Sequence, residues 1–373
     1  MLAVATAGCS SDDGSERAGA ASTAPASSST ASTASTNAPT TRAPVATTAA
    51  PTHREYPAGT FDATDAALAQ RVAAAGLNGG FVRIVADDGT VLHEAGVGAV
   101  DGSTVLDVAS STKWITAATL MTFVDAGAIG LDDDISRWLP EFAGARPPVT
   151  ARMLLTHTSG VHDNPCQNGG VGLAECVATL AASPIEFPAG TAFSYGNSPF
   201  LVVGRLVEVL GGADFATVVH ARVTGPLGMT ATTWPGAPSA PNPAFGVQTT
   251  VDDYGRFLAM LQHDGTSDGH RVLSAASVAE IVRNQVGAYD TTHDYSVGIT
   301  GIPRYGLGCW PDVVDERGRT TVVSGNGGKG LYPWIDFTTR TWGVVGVQDE
   351  RGAQYAVPAS QAVAVAAREA LAR

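Results

Sequence analysis

The stretch DVASSTKWIT, residues 107–116, decides how this chain is read. It sets Ser110 three residues before Lys113, at the start of a segment in which Trp114, Ala117, Ala118, Met121 and Val124 recur at helical intervals of three and four. Residues i and i+3 share a helix face, so the amine can lie beside the hydroxyl. The ordinary reading is an N-cap serine followed by a surface lysine. The chemical reading is a nucleophile with its base. A serine hydroxyl is a poor nucleophile until a base takes its proton. A lysine is neutral near pH 7 only when desolvated or set near positive charge. The N-terminal end of a helix carries partial positive charge, which favours both an alkoxide and a neutral amine. Ser-x-x-Lys alone is a common spacing, so the rest of the chain has to decide.

The bulk composition narrows the classes. The chain has 373 residues and a formal net charge of -13, from 22 Lys and Arg against 35 Asp and Glu. Nucleic-acid binding needs clustered cations, so no nucleic-acid partner is expected. An apolar share of 44% is enough for a sizeable core, and 43 Gly with 21 Pro indicate many turns. Residues 1–57 differ from the rest. MLAVATAGC (1–9) is a short apolar run ending at Cys9, and residues 10–57 are almost entirely Ser, Thr, Ala and Pro. That tract cannot bury enough apolar area to offset its ordering entropy and is expected to be a disordered linker. Ala-Gly-Cys after an apolar run resembles a bacterial lipoprotein processing site, although no basic residues precede it and Thr6 stands where Leu is usual. The expectation is an exported protein, a cell-surface lipoprotein tethered through a lipidated Cys9 or a secreted one, with the folded part at 58–373.

The remaining cysteines agree with export. Cys166 and Cys176 lie ten apart in the glycine-rich NPCQNGGVGLAEC (164–176), where a disulfide would close a short loop. The alternative is a zinc site, but no CxxC or HExxH spacing occurs, and no metal is expected. Cys309, in YGLGCW, has the apolar neighbours of a buried thiol. From residue 58 onward no segment approaches a membrane span in length.

Within the folded part, residues 79–101 read as two strands around an Asp88-Gly89 turn. From about 127 to 245 the apolar period stays helical between loops, and 252–265 and 274–285 add two helices. After Tyr305 come short strands, YGLGCW, TTVVSG, LYPWIDF and TWGVVGVQD, and an alanine-rich helix over about 357–372. Strands at both chain ends with helices between them predict one sheet built from the two ends plus a helical insert, with a cleft between them.

A second element joins the first. FPAGTAFSYGNSPF (187–200) places Tyr195 and Asn197 two apart in a loop before another helix. A tyrosine hydroxyl can relay a proton to a leaving group, and an asparagine amide can hold a substrate amide. The competing reading is a turn with a packing tyrosine. At this point the chain resembles the serine β-lactamase and penicillin-binding-protein superfamily, in particular its class C β-lactamase, D-alanyl-D-alanine carboxypeptidase and esterase branch. Ser110-Ser111-Thr112-Lys113 matches its Ser-x-x-Lys element, and Tyr195-Gly196-Asn197 its Tyr-x-Asn element. AGAIGLDDDISRWLPEF (126–142), TARMLLTHTSG (150–160), FPAGTAFSYGN (187–197) and GPLGMTATTW (225–234) follow in the family's order. The resemblance covers about residue 60 to the C-terminus. It implies an α+β fold of the β-lactamase/transpeptidase type, an antiparallel sheet flanked by helices plus a mostly helical domain. It also implies an acyl-enzyme on Ser110, with Lys113 and Tyr195 sharing the proton transfers and no cofactor.

The third family element, Lys or His followed by a small residue and Gly on a strand, is altered. The match in VVSGNGGKGLYPWID (322–336) is Gly325-Asn326-Gly327, or Asn326-Gly327-Gly328 one step later, and neither begins with a cation. Asn326, Gly327 and Gly328 are the substrate-binding candidates there, beside Asn197. The N–H of Gly328 with that of Ser110 would form an oxyanion hole. Lys329 sits two or three positions from the place of the missing cation. GNGGKG is no phosphate loop, because Gly330 follows Lys329 and Val323 holds the first glycine position. His157 and His162-Asp163 are read as structural rather than metal ligands, and no Gly-x-Ser-x-Gly occurs. The expected function is a serine hydrolase acting on a small-molecule or peptide amide or ester: a β-lactam, a D-Ala-D-Ala peptide or a carboxylic ester. The alternative is a catalytically weak surface domain that binds cell-wall peptide.

Overall fold

A computed structural model of the chain describes residues 56–144, 148–168, 170–236 and 241–373. Cys9 and the tract up to residue 55 lie outside the described residues. Helix α1 (Asp62–Ala75) leads into strands β1 (Gly79–Ala86) and β2 (Val91–Gly98), whose hairpin turns where Asp88-Gly89 placed it. Then follow β3 (Leu106–Asp107), α2 (Thr112–Asp125), α3 (Ala151–Leu155), α4 (Leu173–Ala182), α5 (Ser198–Gly211), α6 (Phe215–Val219), β4 (Gln248–Thr249) and α7 (Val251–Gln262). The chain continues through β5 (Thr266–Ser267), β6 (His270–Arg271), α8 (Ala275–Val282), α9 (Tyr295–Thr300), β7 (Trp310–Val314), β8 (Thr320–Ser324), β9 (Tyr332–Asp336), β10 (Thr341–Val347) and α10 (Ala353–Leu371). The final helix starts four residues before the alanine-rich run suggested. YGLGCW is not a strand: only its last residue, Trp310, enters β7, because the backbone of 305–309 is spent on loop contacts such as Gln285 N to Tyr305 O (2.7 Å).

The main sheet has six strands in the order β2-β1-β10-β9-β8-β7, all neighbours antiparallel. The pairing of β1 with β10, from Gly80↔Val347 to Ala86↔Thr341, joins the two ends of the folded chain. Two-residue alternation divides these central strands between two cores. Val82, Ile84, Trp334, Val345 and Val347 pack with α1 and α10 on one face. Phe81, Val85, Ile335, Trp342 and Val344 join the larger core with α2, α5 and α7 on the other. Both sheet faces are covered, so the strands read as nearly continuous apolar runs.

The second core is organised around α2. Every residue from Thr112 to Phe123 is buried, so this helix has no solvent face. Its threonines are tolerated because their hydroxyls bond backbone carbonyls, Thr116 to Pro243 O (2.7 Å) and Thr119 to Ile115 O (2.9 Å). Lys113 therefore enters the protein on a fully enclosed element.

Cys166 and Cys176 are joined in a disulfide, with Cα atoms 5.5 Å apart, and Cys309 is a free, buried thiol. The bridge ties the segment after Asp163 to α4. Closing a ten-residue separation restricts the unfolded chain, so replacing both half-cystines by serine should cost about 2–3 kcal/mol. The expected readout is a lower urea midpoint at nearly unchanged slope. No described helix is long and apolar enough to cross a membrane.

Candidate active site

The turn before α2 carries Ser110. Ala109 adopts φ 45°, a left-handed conformation that costs a non-glycine residue roughly 1–2 kcal/mol. Several contacts hold it there. The Ala109 N–H donates to Asp107 Oδ1 (3.0 Å), and the Thr112 hydroxyl donates to Ala109 O (2.7 Å). Val108 N–H reaches Val247 O (3.1 Å), and the Tyr254 hydroxyl reaches Ser111 O (2.9 Å). The result leaves the Ser110 side chain half-buried at the rim of a pocket, while Ser111 beside it is fully buried. Strain of this kind at a pocket-facing residue is a mark of functional geometry.

Lys113, one turn on, is fully buried. Its Nζ lies 3.2 Å from Ser110 Oγ, 2.8 Å from Asn197 Oδ1 and 3.2 Å from Ala244 O. Burial drives the amine from its ordinary value down to about 7, against an opposing pull from the Asp163 carboxylate. A neutral amine has two hydrogens and one lone pair. Asn197 and Ala244 accept both hydrogens, which turns the lone pair toward the Ser110 hydroxyl. Lys113 also sits 5.0 Å from the centre of the Tyr195 ring.

Tyr195 borders the same pocket, packed against His157 (4.5 Å between centroids), Trp310 (5.5 Å) and Tyr305 (5.8 Å). Burial pushes its phenol well up, against a hydrogen bond with Ser110 that favours the phenolate. The phenol is therefore protonated at neutral pH and shares the serine hydroxyl with the amine. His157 is held neutral, pushed well below its usual value by burial and by the charge of Lys113. Its Nδ1 accepts from Gly196 N–H (3.4 Å). Its turn depends on Gly160, which has φ 69° and no room for a Cβ, since one would fall 2.0 Å from Phe187 O.

Two carboxylates that motif reading missed hold the Tyr195–Ser198 segment. Asp163 Oδ1 accepts from the N–H groups of Asn197 (2.9 Å) and Ser198 (2.8 Å). It caps α5 from outside, which frees the Asn197 side chain to serve Lys113 instead of its own helix. Asp294 Oδ2 accepts from Tyr195 N–H (2.9 Å) while Oδ1 caps α9. The sequence carried no local signal for either role, since Asp163 lies 34 residues from Asn197 and Asp294 lies 99 from Tyr195. Among the described residues no group of three or more His, Cys, Asp or Glu is arranged to hold a metal, and Asp163 is spent as a helix cap. Asp163→Asn keeps an acceptor but removes the charge that holds the Lys113 proton. The expected result is a several-fold lower kcat/KM at its plateau and an ascending, acid-side limb of the pH–rate profile shifted below about 7, read from kcat/KM between pH 5 and 9.

The third element lies directly behind Ser110. A Cβ on Gly327 would fall 2.1 Å from Val108 O, so only glycine lets this strand end reach the serine turn. Asn326 and Gly328 line the pocket with Ser110, Tyr195 and Asn197. Gly327 lies behind them rather than on the pocket wall. Among the described residues, the backbone N–H groups of Ser110 and Gly328 have no protein acceptor. Lys329 does not enter the pocket. Its amine is bound to Asp107 (2.8 Å) and Glu350 (3.2 Å), and so buttresses the strained turn at Ala109.

An antiparallel sheet covered on both faces, with a strained serine turn at the foot of a buried helix, is the fold of the serine β-lactamases and transpeptidases. The chain belongs to the Beta-lactamase family, whose model matches residues 64–368. It is 31% identical over 261 residues to penicillin-binding protein 4 of Amycolatopsis lactamdurans, covering 58% of this chain and 68% of that protein. It is 34% identical over 179 residues to esterase EstB of Burkholderia gladioli, covering 40% of this chain and 45% of the esterase. Among solved structures, a Bacteroides dorei DSM 17855 protein named as a β-lactamase candidate superposes with TM-score 0.77 at 28% identity, over 84% of this chain and 99% of that one. The family is one of serine hydrolases.

Proposed function

We propose that the protein hydrolyses an ester or amide through an acyl-enzyme on Ser110. The observation that carries this is the amine of Lys113: fully buried, lowered to about 7, with both hydrogens of its neutral form accepted by Asn197 and Ala244 and its remaining direction given to Ser110 Oγ. Lys113 takes the serine proton as Oγ bonds to the carbonyl carbon. The N–H groups of Ser110 and Gly328 receive the oxyanion. As the bond to the leaving group breaks, Tyr195 gives its proton to that group and is reprotonated from Lys113. A water then attacks the acyl carbon, losing its proton along the same path, and the C–Oγ bond breaks. One water is consumed, and an acid and an alcohol or amine are released. Asn197 orients both Lys113 and the bound substrate.

Incubation with a chromogenic cephalosporin, a fluorescent penicillin and a nitrophenyl ester tests this reading. Turnover or covalent labelling that disappears with Ser110 supports it. Binding of cell-wall peptide without turnover or labelling supports a non-catalytic surface domain instead. The disulfide agrees with an exported protein, and we place the domain outside the cytoplasm, tethered through a lipidated Cys9 or secreted.

A further inference from the structure

We infer that the pocket in front of Ser110 selects uncharged acyl groups, with Asn326 as the residue that sets the preference, so that the substrates are neutral carboxylic esters. The inference rests on the serine-hydrolase reading and names its substrate class. The pocket encloses about 470 Å3, open solvent included, and its walls beyond the serine include Tyr295, Ile299, Trp310 and Val357, with Ser296 and Thr300, whose hydroxyls donate to Asp294 and to Ser296 O. Among the described residues no Lys, Arg or His lines it. The cations nearby are committed elsewhere. Lys113 lies behind Ser110, 3.2 Å from Oγ, with its amine held by Asn197 and Ala244. Lys329 is bound to Asp107 and Glu350, Arg304 to the carbonyls of Pro311 and Asp312, and Arg368 to the Asp312 side chain.

Negative charge, by contrast, stands close. Asp294 and Asp163 brace the two ends of the Tyr195–Ser198 segment, and the Asp163 charge also acts on the Lys113 amine behind Ser110. Both raise the phenols of Tyr195 and Tyr295 beyond what burial does, so the potential along this rim is negative. A carboxylate entering here would give up its hydration, find no cation on the pocket wall and face two like charges. A neutral ester loses none of this. Asn326 is 6% exposed, lines the pocket, and its Nδ2 has no partner among the described residues. An amide donor satisfies an uncharged oxygen fully but offers a carboxylate only a dipole. The first turn of α10, which reaches the pocket at Ala353, adds a fraction of a positive charge, suited to a carbonyl oxygen rather than a full anion.

The test compares 4-nitrophenyl hexanoate with the 4-nitrophenyl monoester of adipic acid, which matches it in length and ends in a carboxylate. The wild-type protein should favour the hexanoate at least tenfold in kcat/KM. Asn326→Lys should reduce that ratio by a further order of magnitude or reverse it, through faster turnover of the adipate. Asn326→Ala, which adds no charge and no bulk, should raise KM for the hexanoate several-fold and narrow the ratio. Equal rates on the two esters in the wild type, or a ratio unmoved in both variants, overturns the inference while leaving a Ser110-dependent hydrolase in place. Ser110-dependent turnover of the cephalosporin with neither ester hydrolysed overturns the inference alone, and absence of Ser110-dependent turnover or labelling by the esters, the cephalosporin and the penicillin overturns the hydrolase reading and the inference with it.

Discussion

Ser110→Ala should lower kcat on any ester substrate by roughly four to six orders of magnitude while leaving the fold intact. The size follows from the role: with no Oγ there is no covalent intermediate, and only the oxyanion donors and binding contacts remain. The fold should survive because the hydroxyl is half-buried and among the described residues its hydrogen bonds are to Lys113 and Tyr195, whereas the strained turn is held by Asp107, Thr112 and Tyr254. The thermal midpoint should stay within a few degrees of the wild type. Mass spectrometry of the intact protein after a slow ester should show the acyl adduct on the wild type and none on the variant. Retention of more than about a hundredth of the rate would remove Ser110 from the mechanism.

Lys113→Met should lower kcat/KM by roughly 10²–10⁴-fold, the usual worth of a positioned general base. The pH dependence identifies the cause. In the wild type kcat/KM should rise with pH through about 7, where the buried amine loses its proton, and that limb should vanish in the variant. Stability gives an independent reading. The amine holds its proton less tightly in the folded protein, near 7, than in the unfolded chain, at 10.5. Between those values the unfolded state binds more protons, so this site's contribution to stability rises with pH and is lost as pH falls through about 7. The difference is on the order of 5 kcal/mol across the full window. Lys113→Met should therefore be most favourable to stability at or below pH 7 and lose that advantage toward pH 10, as denaturant titrations at several pH values would register. A stability difference independent of pH would mean that Lys113 is not desolvated in the folded protein.

How much of this could be seen beforehand differs by residue. That Ser110 can lie beside Lys113, and Tyr195 near Asn197, was legible because each spacing is local, one helical turn in the first pair and two residues in the second; that the two pairs belong to one site came from the family resemblance. One sheet from the two chain ends followed from where the alternating and helical patterns lay, and its antiparallel pairing from the family resemblance. Asp163 and Asp294 were not legible, since each acts through backbone N–H groups brought to it by the fold. YGLGCW looked like a strand because its apolar residues are buried, and burial alone does not distinguish a strand from a packed loop. Lys329 stands near the place of the missing cation in the sequence, but the fold gives it to Asp107, 222 residues away, and to Glu350.

The order of residues by itself determined which chemical groups are present, that a hydroxyl and an amine share a helix turn, and that the third element begins without a cation. Only the tertiary structure decided the properties of those groups. The amine of Lys113 falls to about 7 because α2 is enclosed on all sides, and the Tyr195 phenol rises for the same reason. Desolvation belongs to an environment assembled from distant segments, whereas spacing belongs to the chain itself.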